Sequence, residues 1–352
     1  MTMAGKTAMT PRENWLRCIE FRGPEWIPVQ VAISGGTWQR YGRALADVVA
    51  PHPRLVTAPA DLPDVRPEVY DAARAEEVVY DIFGCGWINL HPGLEGLVVS
   101  NPLADWSAWP SYTFPDPLSA EAGFPQDWDA VVANVRAQKE AGQLTWGGAD
   151  RFFERLHFLR GYENLMMDFA DAPPQLGELI YAVEAYVAAR VDKWISAGVD
   201  IIAFGDDLGL QDRMMVSIDT FRRWLRPSYE RLAQRCRDAG VHVQLHSDGY
   251  TLPLLPELLD MGVSMVNPQD LVNGLDNIRD LCGGKVCVLL DIDRQSVLPF
   301  GTPEEVRAHI RRCVDVLRRP EGGLAMVIGI YPDVPLANID AVLTAFEDFC
   351  LA

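Results

Sequence analysis

The sequence predicts an α/β fold of the (β/α)8 TIM-barrel type, and three observations carry that prediction. From about residue 140 onward, short apolar strand-like runs alternate strictly with helical runs, which implies parallel strands joined by crossover helices. Polar residues follow the carboxyl end of nearly every run: Gly205-Asp206-Asp207, His246-Ser247-Asp248, Asn267-Pro268-Gln269-Asp270, Asp291-Ile292-Asp293 and Tyr331-Pro332-Asp333. A closed barrel gathers such residues at one mouth, where its active site lies. No Gly-x-Gly-x-x-Gly follows any strand, which weighs against an open doubly wound sheet built to bind a dinucleotide.

Each element has its own signal. Residues 1–10, MTMAGKTAMT, carry one Lys and no long apolar core, so a frayed tail is expected and not a secretory signal. Residues 44–117 are rich in Pro, Gly and Trp. Alternating runs at 87–90 and 97–100 around Pro-Gly predict a hairpin, inserted over the barrel mouth. Gln143–Trp146 is a strand candidate, and 174–197 a long amphipathic helix stopped by Gly198. Val199–Phe204 is a continuous apolar run, as expected of a strand buried on both faces. Ser217 is the expected N-cap of a helix ending near Ala239. Strands at 241–245, 263–266, 286–290 and 324–328 follow, with helices near 253–261, 275–281 and 336–349 between and after them. Thr302-Pro303-Glu304-Glu305 spells a capping box with Pro at the first helical position. No linker divides the 352 residues, so one barrel domain is expected.

Composition narrows the function. With 49% hydrophobic and 23% charged residues the chain reads as soluble and globular, and no apolar run is long enough to span a membrane. A net charge of −18 disfavours nucleic acid and anionic lipid as partners. Seven scattered cysteines without framework spacing point to reduced thiols and a cytoplasmic protein.

The strand Val241–Leu245 breaks into His246-Ser247-Asp248-Gly249, which places an imidazole and a carboxylate two residues apart at the predicted mouth. They face the same way if the pleat continues through the turn. As an acid–base pair the carboxylate would orient the imidazole; as metal ligands they would supply mixed N and O donors. The bland alternative is that Asp248 closes an Asx turn or caps the next helix. Asp206 and Asp207 join the catalytic candidates, although adjacent side chains diverge and one of the two is expected to turn away. Trp146, Arg160, Asn267, Gln269, Asp293 and Tyr331 are the substrate-binding candidates, as an aromatic wall and hydrogen-bonding groups.

Several stretches together resemble the uroporphyrinogen decarboxylase-like family: Thr10-Pro11-Arg12-Glu13 with Pro24-Glu25-Trp26-Ile27-Pro28-Val29, Phe153-Glu154-Arg155 through Asp168, Gly205-Asp206-Asp207-Leu208-Gly209, His246-Ser247-Asp248-Gly249, Asn267-Pro268 and Phe300 through Val306. The resemblance implies a (β/α)8 barrel and one of two activities, tetrapyrrole decarboxylation or methyl transfer with corrinoid proteins. The arginine-rich loop by which the decarboxylases hold propionates is replaced here by Val31 through Tyr41, with only Arg40 and Arg43 nearby. The His-x-Cys and later Cys that hold zinc in the family's methyltransferases correspond to His246, Asp248 and a position near Ile328, so both thiolates are missing.

The expectation is a methyltransferase moving a methyl group from a small methylated molecule, of methoxy-aromatic or methylamine type, to a corrinoid protein or a folate. His246 and Asp248, with Asp206 or Asp207, supply an acid or hold an ion. A cofactor-independent decarboxylase of a small acid is the first alternative, and a non-catalytic binder of a ligand or corrinoid protein the second.

Overall fold

A computed structural model describes residues 9–62, 77–89, 96–121 and 124–352. Seven strands form one parallel, curled sheet among them: β1 (Val29–Ile33), β2 (Trp146–Gly148), β3 (Ile201–Gly205), β4 (His242–His246), β5 (Met265–Asn267), β6 (Cys287–Asp291) and β7 (Leu324–Ile330). Their spatial order is β1-β7-β6-β5-β4-β3-β2. Each strand from β2 to β7 therefore lies beside its successor, as in a barrel wound in one direction, and the fold is the α/β TIM barrel expected. The closed form has eight strands; among the described residues the ladder has seven, and no pairing joins β1 to β2.

The predicted strands are all present and end one or two residues further toward the carboxyl end, and all but the last also start one to three residues later. That shift matters chemically, because it draws His246, Asn267 and Asp291 into the ladder as last strand residues. The helices Pro174–Ala197 and Leu336–Phe349 start and stop where the sequence indicates. The capping box at Thr302 is complete: its Oγ1 accepts from Glu305 N, and Glu305 Oε2 accepts from Thr302 N. The helix expected from Ser217 to Ala239 is divided, with a π-helical turn at Phe221–Leu225 ahead of Arg226–Asp238.

Two apolar layers hold the wall. The larger lies between the sheet and its outer helices. The smaller plugs the amino-terminal end of the barrel, where Trp15, Cys18 and Ile19 of the helix Pro11–Ile19 meet Ile201, Met265, Cys287 and Ala325 at the beginnings of their strands. One end is thus closed by apolar packing, and polar chemistry is left to the other.

Between β1 and β2 the expected hairpin is the core of a three-stranded antiparallel sheet, Val79–Tyr80, Gly86–Ile88 and Leu97–Ser100, in which Trp87 pairs with Val98. Leu90, its Pro-Gly turn and residues 1–8 of the expected tail lie outside the described residues. The segment packs on helices that follow β2. The Arg155 guanidinium lies 3.7 Å from the Phe83 ring centre, and Leu103 N donates to Leu159 O. All seven cysteines are buried free thiols, and no helix among the described residues is long and apolar enough to cross a membrane.

The turn after β4 is held by a close approach of two backbones. Gly249 has φ +79°, and a Cβ there would sit 2.4 Å from the Gly209 carbonyl carbon. Gly209 has the reciprocal constraint, 2.6 Å from Asp248 O. Only glycine permits both the left-handed conformation and the contact. Gly249→Ala is expected to destabilise the fold by about 2 kcal/mol or more, read as a lower midpoint in chemical denaturation; an unchanged midpoint would contradict the contact.

Candidate active site

The parallel register puts the site together. Gly205, His246 and Asn267 are ladder partners across β3, β4 and β5, and Gln269 bridges to Asp291 one strand further on. The carboxyl ends of β3, β4 and β5 therefore share one row, and Gln269 with Asp291 of β6 forms the row two residues beyond it.

His246 lies at the centre. Its Nδ1 is 2.7 Å from Asn267 Oδ1, and Asn267 is itself oriented because its Nδ2 donates to Leu289 O at 2.6 Å. The amide therefore presents an acceptor, which fixes the proton on Nδ1. The other ring nitrogen, Nε2, lies 3.3 Å from Asp248 Oδ1 and 3.7 Å from Asp207 Oδ1. Burial alone would lower the imidazole pKa, but the hydrogen bond and charge of Asp248, the Asn267 bond and the charge of Asp207 outweigh it and raise it to about 9.

Asp248 is held from three sides. Arg294 Nη2 donates to both its oxygens at 2.6 and 2.8 Å, Gln269 Nε2 donates to Oδ1 at 3.0 Å, and His246 completes the set. Burial works to raise its pKa, yet His246 and Arg294 prevail and hold it below the usual carboxylate range. Gln269 also accepts from Gly249 N at 2.8 Å, so one amide clamps both the carboxylate and its turn. Asp207 Oδ1 accepts from Asp248 N at 3.0 Å. The ligand atoms of Asp207, His246 and Asp248 lie within 4.8 Å of one another, close enough to share a cation.

Two buried acids border this cluster. Glu154 accepts from Asp207 N at 3.3 Å and from Arg151 at 3.2 Å. Burial dominates its titration, and with Asp206 and Asp207 nearby its pKa is raised to about 8 despite Arg151. Asp291, at the end of β6, is raised by burial to about 6 although Arg294 lies 3.5 Å away.

The other sequence candidates have different placements. Asp206 turns inward and is fully buried. It accepts from Phe152 N, Glu154 N and the Tyr229 hydroxyl at 2.7, 2.8 and 2.6 Å, which makes it an anchor for the helix Phe153–Arg160 and not a mouth group. Arg160 is buried in an ion pair with Asp168 at 2.7 Å, donates to Leu103 O and Ala104 O, and lies 4.5 Å from the Trp106 ring centre. Its fork is spent on pinning the inserted segment. Trp146 is the amino-terminal residue of β2 and packs edge-on against Trp15 in the barrel plug. Asp293 caps the turn Gln295–Val297 by accepting three backbone N–H groups. Asn267 and Gln269 hold His246 and Asp248, and Tyr331 lies at the mouth with the Arg294 guanidinium 5.6 Å from its ring centre.

Arg294, Asp291 and Glu154 border the site but are not among the sequence candidates, although the sequence places Asp291 at the mouth. Ending the strand at Leu290 left Asp291 in a loop. With the strand one residue longer, Asp291 and an Arg three residues on become visible as a pair. Glu154 lies in one of the family-like stretches and after a Gly-rich strand end, but neither signal marks it as a site residue.

Two measurements check this geometry. By NMR titration the His246 ring is expected to titrate near pH 9 in the folded protein, and near or below 6.5 in Asp248→Asn. Because the folded value exceeds the unfolded one, the stabilisation from this histidine is full below about pH 6.5 and is lost as pH rises through about 9. In urea denaturation Asp206→Ala is expected to cost about 3 kcal/mol or more, since two backbone N–H groups and a hydroxyl lose their buried acceptor. Asp207→Ala, at a half-exposed position, is expected to cost far less.

A model of the uroporphyrinogen decarboxylase (URO-D) family matches residues 155–349. The methylated-thiol–coenzyme M methyltransferase of Methanosarcina mazei is 23% identical over 195 residues, 54% of this chain and 49% of that protein. The match thus spans about half the length of that curated relative. A solved structure, a methyltransferase from Methanosarcina mazei, shares the fold with a TM-score of 0.68 at 17% identity, over 97% of this chain and 99% of that one. With more than half of its length matched by the family model, the chain belongs to the URO-D family.

Proposed function

We propose that the protein is a methyltransferase that takes a methyl group from an O-methylated aromatic molecule, with His246 as the acid that protonates the departing oxygen. One observation carries this reading. At the barrel mouth His246 Nε2 faces Asp248 at 3.3 Å and Asp207 at 3.7 Å, and these carboxylates raise the imidazole pKa to about 9. A nucleophile attacks the methyl carbon, the C–O electrons stay on oxygen, and the Nε2 proton neutralises that oxygen as the bond breaks. A phenol titrates near 10, so donor and leaving group are matched within about a unit. A thiolate leaves without such help, and an ammonium donor already carries its proton. On these leaving-group grounds a methoxy-aromatic donor suits His246 better than a methylated thiol or amine.

The methyl acceptor in this reading is a corrinoid on a partner protein, which supplies the nucleophile, with a folate as the other acceptor. Membership in the URO-D family and the resemblance to methyltransferases at sequence and fold level support the reaction class. Arg294 donates to both oxygens of Asp248, and Gln269 and Asp248 N occupy further lone pairs of the two carboxylates. A zinc ion would have to displace these donors beside a guanidinium, without a thiolate to hold it, so no step is assigned to zinc at this site.

The test is an anaerobic incubation with a methoxybenzene and reduced cobalamin, scoring phenol and methylcobalamin. Both products are expected in equal amounts. His246→Ala is expected to lower the rate about 10²–10⁴-fold, and the wild-type rate to hold below about pH 9 and fall above it as the acid loses its proton. Carbon dioxide release without any methyl acceptor would point to the decarboxylase alternative, and an unaffected His246→Ala would remove His246 from the chemistry.

A further inference from the structure

Immediately after Gln269 the chain changes sides. Asp270 opens the short helix Asp270–Asn273 and turns its carboxylate to the outer helix Pro303–Leu317. There His309 and Cys313 stand one helical turn apart and face it together. Asp270 Oδ2 lies 2.6 Å from His309 Nε2 and 3.7 Å from Cys313 Sγ, and Sγ lies 3.7 Å from the same Nε2. Asp270 is 1% exposed and Cys313 0%. An imidazole, a thiol and a carboxylate thus converge on one buried point, and none of them takes part in the proposed methyl transfer.

We propose that Asp270, His309 and Cys313 bind a zinc ion that fastens the β5 loop to the outer helix. Zinc–ligand bonds of about 2.0–2.3 Å put tetrahedral ligand atoms on the order of 3.3–3.8 Å apart. Two edges of the triangle already have that length, and the third opens by about 0.7 Å when the Asp270–His309 hydrogen bond gives way to the metal. The donor set selects the ion. Thiolate with imidazole suits zinc, whereas magnesium and calcium take oxygen ligands.

The proton balance is explicit. On binding, Cys313 releases its thiol proton to solvent, and the proton that Nε2 shares with Asp270 moves to Nδ1. One proton therefore leaves per ion, and occupancy rises with pH. Burial and the neighbouring carboxylate push the Cys313 thiol up, so in the absence of metal the site holds that proton.

The site also has a bearing on the mouth. Asp270 follows Gln269, whose amide holds Asp248 and Gly249, so an ion on Asp270 braces the clamp from behind. It stands apart from Asp207, His246 and Asp248.

Elemental analysis of protein purified without chelator is expected to find about one zinc per chain. His246→Ala is expected to retain it, and Cys313→Ser and His309→Ala to lose it. Cobalt reconstitution of the unaltered chain keeps the test independent of whether a variant folds: a thiolate-to-cobalt charge-transfer band is expected. Absence of that band, full zinc retention by Cys313→Ser, or zinc loss in His246→Ala would each overturn the proposal. Methyl transfer stands or falls separately, because its assay reads phenol and methylcobalamin.

Discussion

A nitrogen lone pair cannot face two carboxylates in a partly buried site unless something positive stands between them, and the mouth of this barrel is arranged around that constraint. Leu289 O orients the Asn267 amide, the amide fixes the Nδ1 proton of His246, and Nε2 is thereby left toward Asp207 and Asp248. The positive charge is a proton on Nε2, and Arg294 balances the far side of Asp248. Every member of the chain is held by a backbone group or by another member. The imidazolium is therefore built into the fold by hydrogen-bond geometry, and its high pKa follows from that geometry.

The same chain separates acids by what holds them. Asp206 and Asp207 are adjacent, yet one is spent on the helix start Phe153–Arg160 and the other faces His246. Divergence of neighbouring side chains at the end of a strand forces that split, and the buried one gains backbone donors in exchange for its solvation. Glu154, whose own N–H is held by Asp206, has fewer donors and stays largely protonated at neutral pH. Charge density at the mouth is thus lower than the number of carboxyl groups suggests.

Much of this was legible in sequence because it rests on periodicity. Strand and helix alternation predicted the barrel, the capping box at Thr302 predicted a helix start, and a shared facing of His246 and Asp248 was expected only if the pleat continued through the turn. What was not legible depends on contacts distant in the chain. Arg160 is paired with Asp168 and stacks on Trp106 in the inserted segment, a packing that no local spacing encodes. Trp146 entered the candidates because its strand was placed three residues too early; in register with Ile201 it belongs to the opposite end of the barrel. Arg294 escaped because its partner Asp248 is 46 residues away.

Pleat continuation explains more than one turn. Asn267 and Gln269, two residues apart, reach His246 and Asp248, themselves two residues apart on the neighbouring strand. The loop after β5 is still strand in its geometry, as its bridge to Asp291 and the bond from Asp291 N to Pro268 O show. The chain then turns into the helix Asp270–Asn273, and Asp270 faces away from the mouth, against His309 and Cys313. The four residues Asn267–Asp270, the last of them opening the helix Asp270–Asn273, therefore carry two sets of contacts, one inside the mouth and one outside the wall. A shift of one residue would place the Asp270 carboxylate against Asp248 and Leu271 against the outer helix. The pairing of β5 with its neighbours is what keeps the acid at the mouth and the outer cluster in their separate places.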